Sequence, residues 1–131
     1  MSSPEKLRLC LLIPRKKGLS VEEFHSHWAN IHGPLVTEWM TRYGVSTYNQ
    51  FHRIQHSTEA IGVPPQYDGI AEITFSRYED METAYKDKTY LEIIRPDELK
   101  FIDFDNIVFS IGKDLAVVQD GKVVLPAETG Y

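Results

Sequence analysis

A chain of 131 residues, 42% hydrophobic and 25% charged with seven Tyr, six Phe and two Trp, has the balance of one packed domain and leaves little room for a second core. Its net charge of -5, with Arg15-Lys16-Lys17 as the one basic run, excludes nucleic acid as a partner, because phosphate binding needs clustered Lys and Arg. Cys10 is the only cysteine, so no internal disulfide forms, and the apolar stretch around it is too short to cross a bilayer and lacks a secretory cleavage site; a reducing, cytoplasmic setting is the expectation.

From Lys6 to Ile13 the residues are apolar and unbroken until Pro14, which predicts a buried strand. Ser20 followed by Glu23 forms a capping box and opens a helix. Within it Phe24, Trp28, Ile31, Leu35 and Trp39 recur at spacings of three and four and should make one inward stripe. Pro34 cannot donate to the carbonyl of Asn30, and Gly33 is a poor helix former, so a kink or break is expected there, with a second piece running to Arg42. Strands follow at about Val45–Ile54 and Gly69–Phe75, separated by a loop over Ser57–Gln66. Tyr78–Lys88 is a helix, Arg95-Pro96 lies in a broken stretch, and a short helix spans about Asp97–Phe101. Asp105–Val118 returns to strand character, and Asp120-Gly121 between two valine pairs marks a hairpin.

The order is β-α-β-β-α-β, an α+β fold in which two helices cover one face of an antiparallel sheet. The other face is not cleanly polar, since Tyr48, Phe51, Ile54, Ile70, Ile73 and Phe75 alternate along these strands, and a second copy packed sheet to sheet would bury it.

The five histidines are the first candidates for chemistry. His25 and His27 project roughly 160° apart on a helix, His25 and His32 are roughly 10 Å apart along it, and His52 and His56 are roughly 13 Å apart on a strand, so no pair chelates one metal ion. No Gly-x-Ser-x-Gly elbow or phosphate-binding glycine loop is present. Acid–base work is left. His32 sits roughly 50° from the centre of the apolar stripe and reaches the helix–sheet boundary; the alternative is a helix-terminal histidine that satisfies a free carbonyl. His25 and His27 border the stripe on opposite sides. Tyr48, Gln50 and His52 share one strand face, and a phenol, an amide and an imidazole in a row point to a polar cavity or to an edge strand facing water. Asp103 and Asp105 suit capping, and Tyr67-Asp68-Gly69 suits a turn.

The ordered set Arg15-Lys16-Lys17-Gly18-Leu19-Ser20, Glu23-Phe24, His27-Trp28, His32-Gly33-Pro34-Leu35, Tyr48-x-Gln50-x-His52 and Asp68-Gly69-x-Ala71-Glu72 resembles the EthD-like family, from about Leu7 to Phe109. The resemblance implies a ferredoxin-like monomer and a homodimeric α/β barrel; with the length and the Asp120-Gly121 signal, the expectation is a single domain over 1–131, with a core of about 7–112 and a C-terminal hairpin extension over 113–131. It is strongest to fungal proteins of aromatic polyketide pathways, which implies a cofactor-free decarboxylase of an aromatic polyketide carboxylic acid of the atrochrysone carboxylic acid (anthraquinone precursor) type. Dehydration or cyclisation by the same fold is the alternative. The residues assigned on this basis are His32 and His52 as general acid and base, Tyr48 and Gln50 on substrate oxygens, Phe24, Trp28 and Phe51 as apolar walls, and Asp103 beside the substrate. Haem handling through a helix histidine and a non-catalytic ligand-binding dimer remain open on the sequence alone.

Overall fold

Residue alternation along the strands decides which side of the sheet becomes core. The computed structural model describes residues 6–54 and 67–131. β1 (Leu7–Ile13), β2 (Thr47–His52), β3 (Gly69–Phe75) and β4 (Val108–Gly112) form an antiparallel sheet in the order β2-β3-β1-β4. Leu7, Leu9 and Leu11 stand opposite Phe75, Ile73 and Ala71 and face the helices. Arg8, Cys10 and Leu12 face the other way, where Arg8 pairs with Glu72 at 3.3 Å. This is the expected ferredoxin-like α+β architecture, and no helix among the described residues is long and apolar enough to cross a membrane.

The capping box forms as expected: the backbone N–H of Glu23 donates to Ser20 Oγ at 3.0 Å and that of Ser20 to Glu23 Oε1 at 3.2 Å, starting α1 (Val21–His27). The expected break at Gly33-Pro34 is replaced by another device. Trp28–His32 winds into a wide π-turn in which Gly33 N–H donates to the carbonyl of Trp28, and α2 (Gly33–Arg42) continues with Pro34 in its first turn, where a missing N–H is harmless. The extra residue shifts the phase of everything after it. His32 and Val36 turn inward at 4% and 1% exposure, while Ile31 and Leu35, expected in the core, are 55% and 36% exposed.

The same solution recurs before the second Pro. After α3 (Tyr78–Lys86) a π-turn at Tyr90–Ile94 is closed by Arg95 N–H on the carbonyl of Tyr90, and α4 (Arg95–Phe101) carries Pro96 in its first turn, so the helix starts at Arg95 without the broken stretch. A 3-10 turn at Phe104–Asn106 delays β4 to Val108. The terminal hairpin pairs β5 (Val118–Gln119) with β6 (Lys122–Val123) through Asp120 and Gly121, whose φ angles of 51° and 76° suit a tight turn. The loop read over Ser57–Gln66, and His56, whose spacing from His52 was read on a strand, lie outside the described residues.

Two contacts set the frame of the site. A Cβ on Gly69 would lie 2.3 Å from Trp28 Cζ3, so only glycine lets this indole lie against the start of β3. Asp68, expected in a simple turn, is buried and accepts from Arg15 N–H at 3.1 Å and from Arg53 Nη2 at 2.9 Å, tying the ends of β1 and β2 together.

Candidate active site

The two π-turns and α4 bring together residues far apart in sequence. Asp97 and Glu98 occupy the first turn of α4, where the helix dipole favours carboxylates, and both are buried. His32 Nδ1–H donates to Asp97 Oδ2 at 2.9 Å, and His27 Nε2–H donates to Asp97 Oδ1 at 3.0 Å. His32 therefore bonds a carboxylate, not a free helix carbonyl. With Nδ1 carrying the hydrogen, Nε2 of the neutral ring holds a bare lone pair. It faces Glu98 Oε2 at 3.9 Å, while Glu98 Oε1 accepts from the Tyr90 hydroxyl at 2.7 Å.

The two groups are pushed in opposite directions. Burial pulls His32 below the ordinary histidine range, against the raising effect of Asp97. Burial pushes Glu98 up to about 7, against its hydrogen bond from Tyr90 and the charge of Arg95, with Asp97 adding to the rise. Near neutrality His32 is an uncharged base beside a carboxyl that still holds its proton part of the time, an arrangement that divides acid from base by environment.

A second string runs along β2. Gln50 Nε2 donates to the carbonyl of Trp28 at 2.9 Å, which orients the amide, so its oxygen accepts from His52 Nε2–H at 2.8 Å. His52 Nδ1 then accepts from His25 Nδ1–H at 2.6 Å. At the inner end the Tyr48 hydroxyl oxygen accepts from Trp28 Nε1–H at 3.1 Å and from Gln50 Nε2–H at 3.3 Å. With both donors on the oxygen, the phenol hydrogen is free to be given to something else. Burial holds the phenol above its ordinary pKa, so it stays a donor.

Between sheet and helices lies a cavity of about 20 Å³, lined by His32, Glu98, Tyr48, Trp28 and Tyr85 among others. That is room for about one water. Among the described residues no three His, Cys, Asp or Glu side chains are placed to hold a metal ion. Tyr85 also lines a much larger open cleft of about 630 Å³ between α3, the second π-turn and β4.

Of the residues expected at the site, His32, Tyr48 and Trp28 meet at the small cavity. His52 does not line it; its ring packs on Trp28 at 4.7 Å and reaches the cavity only through Gln50 and Tyr48. Three others are placed elsewhere. Phe24 is fully buried between Trp28 and Phe101 and offers no free wall. Phe51 points to the opposite sheet face, as the two-residue period of β2 requires. Asp103 sits in a surface hollow beside Lys16 and Lys17 and accepts from Asn106 Nδ2 at 2.7 Å. Asp97, Glu98, Tyr90 and Tyr85 were not singled out from the sequence. The adjacent Asp-Glu pair after Pro96 was the one available signal, and it reads equally well as an ordinary helix start.

A model of the EthD domain matches residues 16–105. The chain belongs to the EthD family. It is 32% identical over 133 residues to the conidial pigment biosynthesis dehydratase EthD of Metarhizium robertsii, covering 93% of this chain and 94% of that one. It is also 32% identical over 127 residues to the decarboxylase claH of Passalora fulva, covering 88% and 82%. Among solved structures, an EthD-like protein from Ralstonia eutropha superposes with a TM-score of 0.66 at 17% identity, over 90% of this chain and 99% of that one. A dimeric ferredoxin-like protein from Thermobifida fusca gives 0.59 at 8% identity, over 87% and 95%. The EthD family is the one to which the motifs pointed, and its two named relatives divide between a dehydratase and a decarboxylase.

Proposed function

We propose that this EthD protein is a cytoplasmic, homodimeric polyketide tailoring enzyme that decarboxylates an aromatic polyketide carboxylic acid of the atrochrysone carboxylic acid type. The observation that carries the reading is the bare Nε2 of a neutral, Asp97-held His32 facing a Glu98 carboxyl raised to about 7. On a phenolic acid, His32 Nε2 takes the phenol proton while Glu98 protonates the ring carbon bearing the carboxylate. The C–C bond to the carboxylate then breaks, CO₂ leaves, and the released electron pair restores the ring as the oxygen recovers its proton from His32. Glu98 is reprotonated from solvent, so the balance is one proton in and one CO₂ out. The free hydrogen of Tyr48 supports the substrate oxygen while it is a carbonyl, and His52 acts as a positioning residue for Gln50 and Tyr48. The reacting edge approaches the small cavity from the open cleft at Tyr85, which lines both.

The same pair can run a dehydration, with His32 removing a C–H proton and Glu98 protonating the departing hydroxyl, and the dehydratase relative supports that second reading. Incubation with such an acid in deuterated water separates the two. Decarboxylation releases one CO₂ per turnover and places deuterium on the vacated carbon. Loss of water with the carboxylate retained would assign the dehydratase, and neither product would sink the enzymatic reading.

The dimer is supported by one apolar row across the outer sheet face, where Phe51, Ile70, Leu12 and Val108 stand in register on β2, β3, β1 and β4. Phe51 is 55% exposed, and a second sheet would bury the row. Light scattering should give twice the 15.1 kDa chain mass, reverting to one chain in Phe51→Glu. A monomeric native protein would overturn this part.

A further inference from the structure

We propose that the open cleft between α3, the second π-turn and β4 binds a planar fused-ring anion, and that Arg95 reads its negative group. This deepens the reading above by naming where and how its substrate class is held. The small cavity is too small to house a whole fused-ring system, of which only the reacting edge approaches His32 and Glu98, whereas the cleft's volume of about 630 Å³ lies in the range of small-molecule sites. Its lining is aromatic and aliphatic: Tyr78, Tyr85 and Tyr90 from the helical layer oppose Phe109 and Ile111 on the helix-facing side of β4. Tyr78, Phe109 and Ile111 are 52%, 55% and 43% exposed, so the walls are open to a flat apolar occupant.

Charge narrows the occupant further. The cleft's charged side chains are Glu82, Lys86 and Arg95. Arg8, Arg15, Arg42, Arg53 and Arg77 each have a carboxylate within ion-pair distance, while Arg95 has none among the described residues. Its guanidinium lies over the Phe104 ring at 5.2 Å, which places a planar, forked donor on the wall of the cleft. Lys86 adds a second positive charge without a carboxylate partner among the described residues. The position of Arg95 also links binding to chemistry, because its charge helps to hold down the proton affinity of Glu98. An anion seated on Arg95 offsets that charge and leaves Glu98 more fully protonated, the form the acid needs. Tyr85 and Tyr90 are the shared edge: Tyr85 separates cleft from cavity, and Tyr90 reaches from the cleft wall to Glu98.

Binding measured without turnover tests the proposal independently of the reaction. Titration calorimetry with anthraquinone-2-carboxylate and the neutral anthraquinone-2-carboxamide should show the native protein favouring the carboxylate by about tenfold or more, the size of a charge-assisted hydrogen bond. Arg95→Gln should abolish that preference while the amide binds as before, and Ile111→Glu should weaken both probes, with circular dichroism confirming the fold of each variant. Equal affinity of the native protein for the two probes, no binding of either, or a preference that survives Arg95→Gln would each overturn it. The no-binding result includes the case in which the exposed apolar tail over 113–131 of a second copy fills the cleft. Preferential binding in a protein that turns over no aromatic acid would uphold the cleft and reject the reaction. Turnover without dependence on Arg95 would do the reverse.

Discussion

Replacing His32 by alanine should lower turnover by about 10²–10⁴-fold while the protein stays folded. The fold should survive because Asp97 is not left alone: His27 Nε2–H still donates to it at 3.0 Å, and Lys100 Nζ lies 3.9 Å from the same oxygen. What disappears is the lone pair facing Glu98. The alanine also vacates the space of an imidazole beside an existing water-sized cavity, so added imidazole should recover part of the lost rate. That recovery is a readout that simple destabilisation would not give. Asp97→Asn should reach a similar loss by another path. An amide has one acceptor oxygen for two imidazole donors, so it no longer enforces the His32 tautomer that leaves Nε2 bare. The loss should fall on kcat more than on KM, since neither residue lines the open cleft. His52→Ala is the discriminating control. If His52 acts through Gln50 and Tyr48, removing it costs about one hydrogen bond's worth of orientation, near tenfold. A loss as large as that of His32→Ala would instead restore the two as an acid–base pair. Full activity in His32→Ala would remove the proposed chemistry altogether.

The strands were legible because their pattern is local. β1 and β3 alternate or run apolar between strong breakers, and the Ser20–Glu23 box announces the first helix within four residues. Helix phase beyond Trp28 was not legible. A stripe of Phe24, Trp28, Ile31, Leu35 and Trp39 assumes a constant 100° per residue, and one π-turn is enough to exchange Ile31 and Leu35 for His32 and Val36. Pro34 could be read as an obstacle, but not as the residue whose missing N–H a wide turn accommodates. The site was half legible for the same kind of reason. Tyr48, Gln50 and His52 share a face by the two-residue period of a strand, and they do lie in one hydrogen-bonded string. His32 and Asp97 are 65 positions apart, and no periodicity links residues on different helices. Phe24 and Phe51 were read by residue type, which says that a ring prefers apolar surroundings but not whether those surroundings are the core, a cavity or a partner.

Glu98→Gln should make the protein more stable at pH 8 and much less active. The folded protein holds the Glu98 proton up to about pH 7, against an ordinary value of 4.5, chiefly because burial penalises the charge. Below pH 4.5 folded and unfolded chains are both protonated, and Glu98 makes no difference between them. As pH rises from 4.5 to 7 the unfolded chain releases the proton while the folded one keeps it, so stability falls through this window and the full penalty is present above it. Moving a carboxyl from 4.5 to about 7 corresponds to about 3 kcal/mol. Glutamine escapes the penalty: its amide oxygen still accepts from Tyr90, and its NH₂ can donate across the gap to His32 Nε2. Thermal melts should therefore show the native protein losing stability between pH 5 and 8 by an amount that Glu98→Gln does not lose, a difference in Tm of about 10 °C at pH 8. Turnover should move the opposite way, falling by about 10²–10⁴-fold, because an amide cannot supply a proton to carbon. A variant that melts with the native pH dependence would show that Glu98 is not the buried acid, and one that keeps full turnover would show that the proton comes from elsewhere. A raised Tm at pH 8 together with lost turnover would mean that the protein carries an ionisable group costly to its stability because a group which keeps its proton near neutrality is the one the chemistry needs.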